Sequence, residues 1–180
     1  MLGLRREITN RPLPCLVTTH AANKLFGPAK IMLQKGSSMK TPLLAVDSVI
    51  FLEGGVVLIR RLNPPFNGCY ALPGGFVEVG ESTEEAVVRE AMEETGLVID
   101  LVGLVGVYSD PHRDPRGHVV SVCYFSKGSG NLISGSDAES AEVFPLGDLP
   151  MLAFDHDKMI GDAMRLYCSE SNQQSQSKEH

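Results

Sequence analysis

Gly75-Phe76-Val77-Glu78-Val79-Gly80-Glu81-Ser82-Thr83-Glu84-Glu85-Ala86-Val87-Val88-Arg89-Glu90-Ala91-Met92-Glu93-Glu94-Thr95-Gly96-Leu97 holds seven glutamates and one cation, Arg89. Ser82-Thr83-Glu84-Glu85 is an S-x-x-E capping box, which starts a helix by satisfying its first backbone N–H groups. No Gly or Pro interrupts Thr83–Thr95, and Gly96 stands where a C′ glycine ends a helix. A helix over Thr83–Thr95 is predicted. At ~100° per residue, Glu94 lies about +40° and Glu93 about −60° from Glu90. The three carboxylates share one face. Val87, Val88, Ala91, Met92 and Thr95 fall on the other and are expected to meet the core. Like charges four apart destabilise a helix unless cations or protons intervene. Clustered hard oxygens suit Mg²⁺ or Mn²⁺. The plain alternative is a solvated acidic face on a surface helix. Gly74-Gly75 just upstream weighs against it, because glycines let a backbone approach a ligand closely. A glycine carbonyl there would add a neutral metal ligand.

Outward from the helix, Leu43–Leu52 and Val56–Leu62 are β-rich runs split by the turn Glu53-Gly54-Gly55, a hairpin signal. A loop follows over Asn63–Gly68, then a short strand, Tyr70–Leu72. Val98–Tyr108 and His118–Ser126 read as strands flanking the turn-rich Asp110–Gly117. Val143–Leu146 is a further short strand. Asp155 caps a final helix over about Asp157–Cys168. Hairpins interleaved with helices require a mixed sheet covered by helices.

The chain has 180 residues, enough for one domain, and a net charge of −6. That charge argues against a protein held to nucleic acid by electrostatics. No apolar run reaches the ~18 residues of a membrane span. Charge is uneven. Residues 1–38 carry Arg5, Arg6, Arg11, Lys24, Lys30 and Lys35 against Glu7 alone. They lack periodicity, and Met39 follows. A non-native extension, an organelle-targeting peptide and a docking arm all remain open for this basic segment, which is expected to be poorly ordered. Residues 39–168 form the working domain. The Ser/Gln-rich stretch 169–180 reads as a disordered tail. Cys15, Cys69, Cys123 and Cys168 are dispersed, with no CxxC, and read as reduced thiols. A cytoplasmic location follows, or an organellar one if 1–38 is a transit peptide.

Gly75, Glu81 and Arg89-Glu90-Ala91-Met92-Glu93-Glu94-Thr95-Gly96-Leu97 match every fixed position of G-x5-E-x7-R-E-U-x-E-E-x-G-U. The segment therefore resembles the Nudix box. Gly68–Gly75 resembles the strand that enters it, with Tyr70 where many members have Trp. The likeness covers about residues 40–168. It implies an α/β fold, a Nudix-type α/β/α sandwich with a mixed β-sheet and a loop–helix–loop catalytic box. It implies Mg²⁺-dependent hydrolysis of a nucleoside diphosphate linked to another moiety. Glu90, Glu93, Glu94 and the carbonyl of Gly74 or Gly75 would serve the metal, with Glu81 and Arg89 in support. It also implies a homodimer.

Two further stretches, Tyr108–His118 and Leu152–His156, resemble small ADP-ribose pyrophosphatases of the archaeal and bacterial type. The first carries Arg113, Arg116 and His118, whose forks and rings suit phosphate and ribose. An ordinary turn at Asp114–Gly117 is the competing reading. His156 reads equally as a helix-start residue or a substrate contact. Phe66, Tyr70, Tyr108 and Phe154 are candidates for stacking a base. Asp137, Glu139 and Glu142 resemble a variable loop from which some members draw a catalytic carboxylate, here Glu142. The expected reaction converts ADP-ribose to AMP and ribose 5-phosphate. Oxidised nucleoside triphosphates, dinucleoside polyphosphates and nucleotide sugars are alternative substrates. A non-catalytic nucleotide sensor is the alternative from another class.

Overall fold

The computed structural model describes residues 41–133 and 138–176. The expectations for residues 1–38 and for Asp137 lie outside them, as does the side chain of Glu139. The described residues begin with β1 (Leu43–Leu52), which pairs antiparallel with β2 (Gly55–Arg61) across the expected turn. Downstream come β3 (Tyr70–Ala71), β4 (Gly74–Phe76), α1 (Thr83–Thr95), β5 (Val98–Tyr108), β6 (Val119–Ser129), β7 (Ala138–Phe144) and α2 (His156–Gln176). The strands form one seven-stranded sheet. β1 is its hub, parallel to β6 and antiparallel to β2 and β4. β2 also pairs with β3 and β7, and β5 with β6, all antiparallel. The sheet is mixed, as the hairpins required.

β1 is buried on both faces because each face meets a helix. Side chains alternate along a strand. Val46 and Ile50 face α1, packing with Ala86, Val87 and Ala91. Val49 faces the other way, into a cluster with Leu58, Phe125 and α2 residues Met159, Ile160 and Ala163. An α/β/α sandwich results. Among the described residues, no helix is long and apolar enough to cross a membrane.

α1 has the expected bounds and the expected capping box, and Gly96 takes the left-handed conformation at φ 71°. Its buried face differs from the wheel. Ala86, Val87, Ala91, Glu94 and Thr95 are buried, whereas Val88 and Met92 are exposed. The sheet edge at β4 lies beside the glutamate stripe, so the helix is rotated to bring Glu94 inward. β4 itself was not expected; Gly-Gly is a poor strand signal, and pairing with β1 creates the strand. α2 continues to Gln176, eight residues beyond the expected end. Its first turns are held by the core, and the Ser/Gln sequence carries no breaker.

Replacing Ser82 by Ala removes the cap on the Glu85 N–H. Such a loss costs about 1 kcal/mol. The melting temperature should fall by roughly 2–4 °C at unchanged far-UV circular dichroism. An unchanged melt would remove the cap from the account of this helix.

Candidate active site

The centre of the site is where α1 meets β4. Gly74 donates its N–H to Glu94 Oε2 at 2.9 Å. A Cβ on Gly75 would collide with the Glu90 carboxylate, and one on Gly74 with the Val46 carbonyl of the neighbouring strand. Gly74 is therefore needed for β4 to pair this closely with β1, and a side chain at Gly75 would push the Glu90 carboxylate from its place. Burial pushes Glu94 up to about 8, the Glu90 and Asp47 charges pushing the same way. Burial also raises Glu90, against the opposing pull of Arg89.

Arg89 organises the rest. It donates to Glu81 through Nε and Nη2, to Glu90 and Glu93 through Nη1, and to the Phe76 carbonyl through Nη2. Those bonds hold Glu81 below the usual carboxylate range. Glu81 also accepts from the Glu78 N–H, which fixes the loop ahead of the helix. Glu93 remains half exposed. Among the described residues, no three carboxylate, imidazole or thiol groups converge as a ready-made metal cage. Glu90 and Glu94 converge on Gly74-Gly75, and Arg89 draws Glu93 aside.

Two cavities, of about 90 and about 370 Å³, adjoin this centre, the larger in the range of small-ligand pockets. Glu90 and Glu94 line the larger; Asp47, Arg113 and His156 line the other. Arg61, Gly74, Gly75, Phe76 and Arg116 line both. Arg116 lies between the Phe76 and Phe154 rings, 5.4 and 5.5 Å from their centroids. Arg61 stacks on Phe154 at 5.0 Å. Burial lowers the Arg61 pKa, and the neighbouring charge of Arg116 lowers it further. Two crowded guanidiniums beside carboxylates make a site for a polyanion with cations on the other side.

The structure brings Arg113 and Arg116 to the cavity wall and leaves three other candidates elsewhere. Arg113 is clamped to Asp155, with Nη2 2.5 Å from Oδ1. Arg116 is paired with Asp114. His118 is exposed, and its carbonyl accepts from Leu43 N–H instead of lining either cavity. Glu142 lies on β7, not in a loop, opposite Leu58 and so on the α2 face of the sheet. Tyr70 donates to Glu142 there and packs edge-on against Phe144. Neither Tyr70 nor Glu142 lines the two cavities. The strand pairing explains the correction, since it aims Glu142 away from α1. Tyr108 is also buried and donates to Asp162. Sequence reasoning missed Arg61, Phe76 and Asp47. An acid inside the apolar run Leu43–Leu52 was the signal available for Asp47.

Glu94 titrates higher folded than unfolded, so between about pH 4.5 and about pH 8 the native chain binds more protons. Its contribution to the stability of the metal-free chain should therefore fall as pH rises through that window. Glu94→Gln keeps an acceptor for the Gly74 N–H and carries no charge. It should melt several degrees above wild type beyond pH ~8, and the gap should close toward pH ~5. Parallel melting curves for the two chains would contradict the buried-acid assignment.

The NUDIX domain model matches residues 41–163. The chain is 56% identical over 125 residues to the ADP-ribose pyrophosphatase of Methanocaldococcus jannaschii, covering 69% of this chain and 74% of that protein. Among solved structures, the NUDIX domain of Shewanella oneidensis NrtR in complex with ADP ribose matches with TM-score 0.64 and 33% identity, over 71% of this chain and 90% of that one. A MutT/nudix family protein from Enterococcus faecalis matches with TM-score 0.66 and 34% identity, over 76% of this chain and 66% of that one. With the box in place on a mixed sheet between two helices and the family model matched along its length, the chain belongs to the Nudix hydrolase family.

Proposed function

We propose that this chain hydrolyses the diphosphate of ADP-ribose to AMP and ribose 5-phosphate. The observation that carries the proposal is the pair of half-buried Glu90 and buried Glu94 on Gly74-Gly75, facing a cleft that Arg61 and Arg116 share. The likeness to an ADP-ribose pyrophosphatase over most of the domain supports the choice of substrate.

A divalent metal fits the donor set. Glu90 and Glu94 offer only hard oxygens, Glu90 stands where a side chain on Gly75 would meet it, and burial pushes both toward protonation. Glu90 and Glu94 would hold Mg²⁺ or Mn²⁺, with the Gly74 carbonyl as a further ligand. Bound there, the ion would neutralise phosphate charge and lower the pKa of water. The chain's own groups do the rest. Arg61 and Arg116 hold phosphate oxygens from the opposite side. Arg89 keeps Glu81, Glu90 and Glu93 in register. Glu93, the most exposed of the box carboxylates on α1's metal face, accepts the proton of the attacking water. Water oxygen bonds to one phosphorus, the bridging P–O bond breaks, and the bridging oxygen leaves on the other phosphate.

We also propose a homodimer; exposed Leu104 and Val107 on β5 offer apolar surface for it. Free Cys69 and Cys123 support a reducing, cytoplasmic location.

Purified chain with Mg²⁺ should release AMP from ADP-ribose faster than it turns over a nucleotide sugar, a dinucleoside polyphosphate or 8-oxo-dGTP, and a chelator should stop it. Glu93→Gln and Glu94→Gln should each lower kcat by at least about 100-fold with the fold retained. Preference for another compound would overturn the substrate, and full turnover in both variants would overturn the site. Tight ADP-ribose binding with no turnover of any compound would instead favour a sensor. Sedimentation should give twice the chain mass; a monomer at micromolar concentration would overturn the dimer.

A further inference from the structure

The smaller cavity has a polar floor that the hydrolytic machinery does not use. His156 is buried at 3% exposure, yet its imidazole lines the cavity. Its Nδ1 accepts the Leu72 N–H at 2.9 Å. A ring nitrogen that accepts a backbone N–H carries no proton, so the proton of the neutral ring sits on Nε2. Nε2 makes no hydrogen bond among the described residues and lies 3.5 Å from Asp47 Oδ1. Asp47 is also buried, and its other oxygen, Oδ2, accepts the Ser121 hydroxyl. Asp47 and His156 are thus each fixed by one internal hydrogen bond, and both residues line the cavity.

The pair offers one donor, Nε2–H, and one acceptor, Oδ1, side by side in a buried place. A donor and an acceptor at a cavity wall are completed by water or by a ligand. A hydroxyl both donates and accepts, and adjacent hydroxyls of a sugar can engage the two atoms together. Position chooses the part of the ligand. Asp47 is paired across strands with Gly74, whose N–H holds Glu94. The floor therefore lies one residue from the proposed diphosphate site. In a nucleoside diphosphate conjugate, the group at that remove is the sugar bonded to the phosphate; a nucleobase hangs one sugar further out.

We infer that Asp47 and His156 form a subsite for the vicinal hydroxyls of the ribose bonded directly to the diphosphate, and that this pair sets the sugar specificity of the chain. The inference rests on the diphosphate reading above. ADP-ribose has such a ribose at each end, and either can supply the diol. Asp47→Asn keeps an oxygen for the Ser121 hydroxyl and replaces the free acceptor by a donor facing Nε2–H. It is the sharpest test.

The measurement is kcat/KM for wild type and Asp47→Asn on three substrates: ADP-ribose, its analogue with a 2,3-dideoxy terminal ribose, and its analogue with a 2′,3′-dideoxy adenosine. Wild type should lose about 10- to 100-fold on one analogue, which identifies the ribose that sits in the subsite. Asp47→Asn should lose a similar factor on ADP-ribose and much less on that same analogue, because the two deletions remove one interaction. A merely structural role would lower all three substrates alike, and that result would overturn the inference while leaving the hydrolase reading intact. Failure of wild type to hydrolyse ADP-ribose would overturn that reading and the subsite with it. If Asp47→Asn does not melt as a folded protein, His156→Gln carries the same comparison with the same outcomes.

Discussion

The hydrogen bond from the Gly74 N–H to Glu94 is the constraint on which this molecule is arranged. It pins a helix carrying a dense acidic face to the edge strand of a sheet. The geometry is unfavourable on its own terms, because a carboxylate is taken out of water beside two others, Glu90 and Asp47. Everything near it makes that position tenable. Gly74 and Gly75 leave room, Arg89 gathers the neighbouring glutamates, and the capping box and Gly96 fix where the helix begins and ends. As a proposed metal ligand, Glu94 would be costly to the fold and useful to the chemistry for the same reason, its burial.

The sheet turns that local strain into a site. β1 carries Val46 and Ile50 toward α1 and Asp47 and Val49 toward α2, so one strand supplies packing to both layers and a carboxylate to the cavity floor. β4 runs beside it as a low wall made almost wholly of backbone. Glutamates stand on one side of that wall and Asp47 with His156 on the other. Arg61 and Arg116, stacked with Phe154, bridge the two cavities. A diphosphate with a sugar attached has this sequence of needs: cations or carboxylate-held metal, guanidiniums, then hydrogen bonds for hydroxyls.

Charge pairing distinguishes the arginines. Arg113 and Arg116 both read as phosphate ligands in the sequence, yet each has a carboxylate of its own in Asp155 and Asp114. Arg113 is buried in its pair and ties the turn after β5 to the start of α2, a framing role. Arg116 keeps half of its side chain exposed at the junction of the cavities. Among the described residues Arg61 bonds backbone carbonyls, of Pro65 and Asn63, and no carboxylate.

Local rules were enough for the helix, the hairpins and the box. Capping chemistry, the C′ glycine and glutamate spacing are all contained within a few residues, so the helix Thr83–Thr95 was legible in the chain. The strand bounds of Leu43–Leu52 and Val98–Tyr108 followed from apolar runs and turns for the same reason. Tertiary structure decided what depends on partners far away in sequence. Glu142 and Tyr70 looked like site residues until strand pairing turned them toward each other on the α2 face. Glu94, not Val88 or Met92, is the buried member of its helix because β4 presents a backbone donor to it. Asp47 and His156 are 109 residues apart and share no local pattern; only the packing of α2 against β1 brings their polar atoms to 3.5 Å. Periodicity records which face a residue takes, whereas which groups meet across the fold is set by the pairing of elements, and no single stretch of sequence contains that.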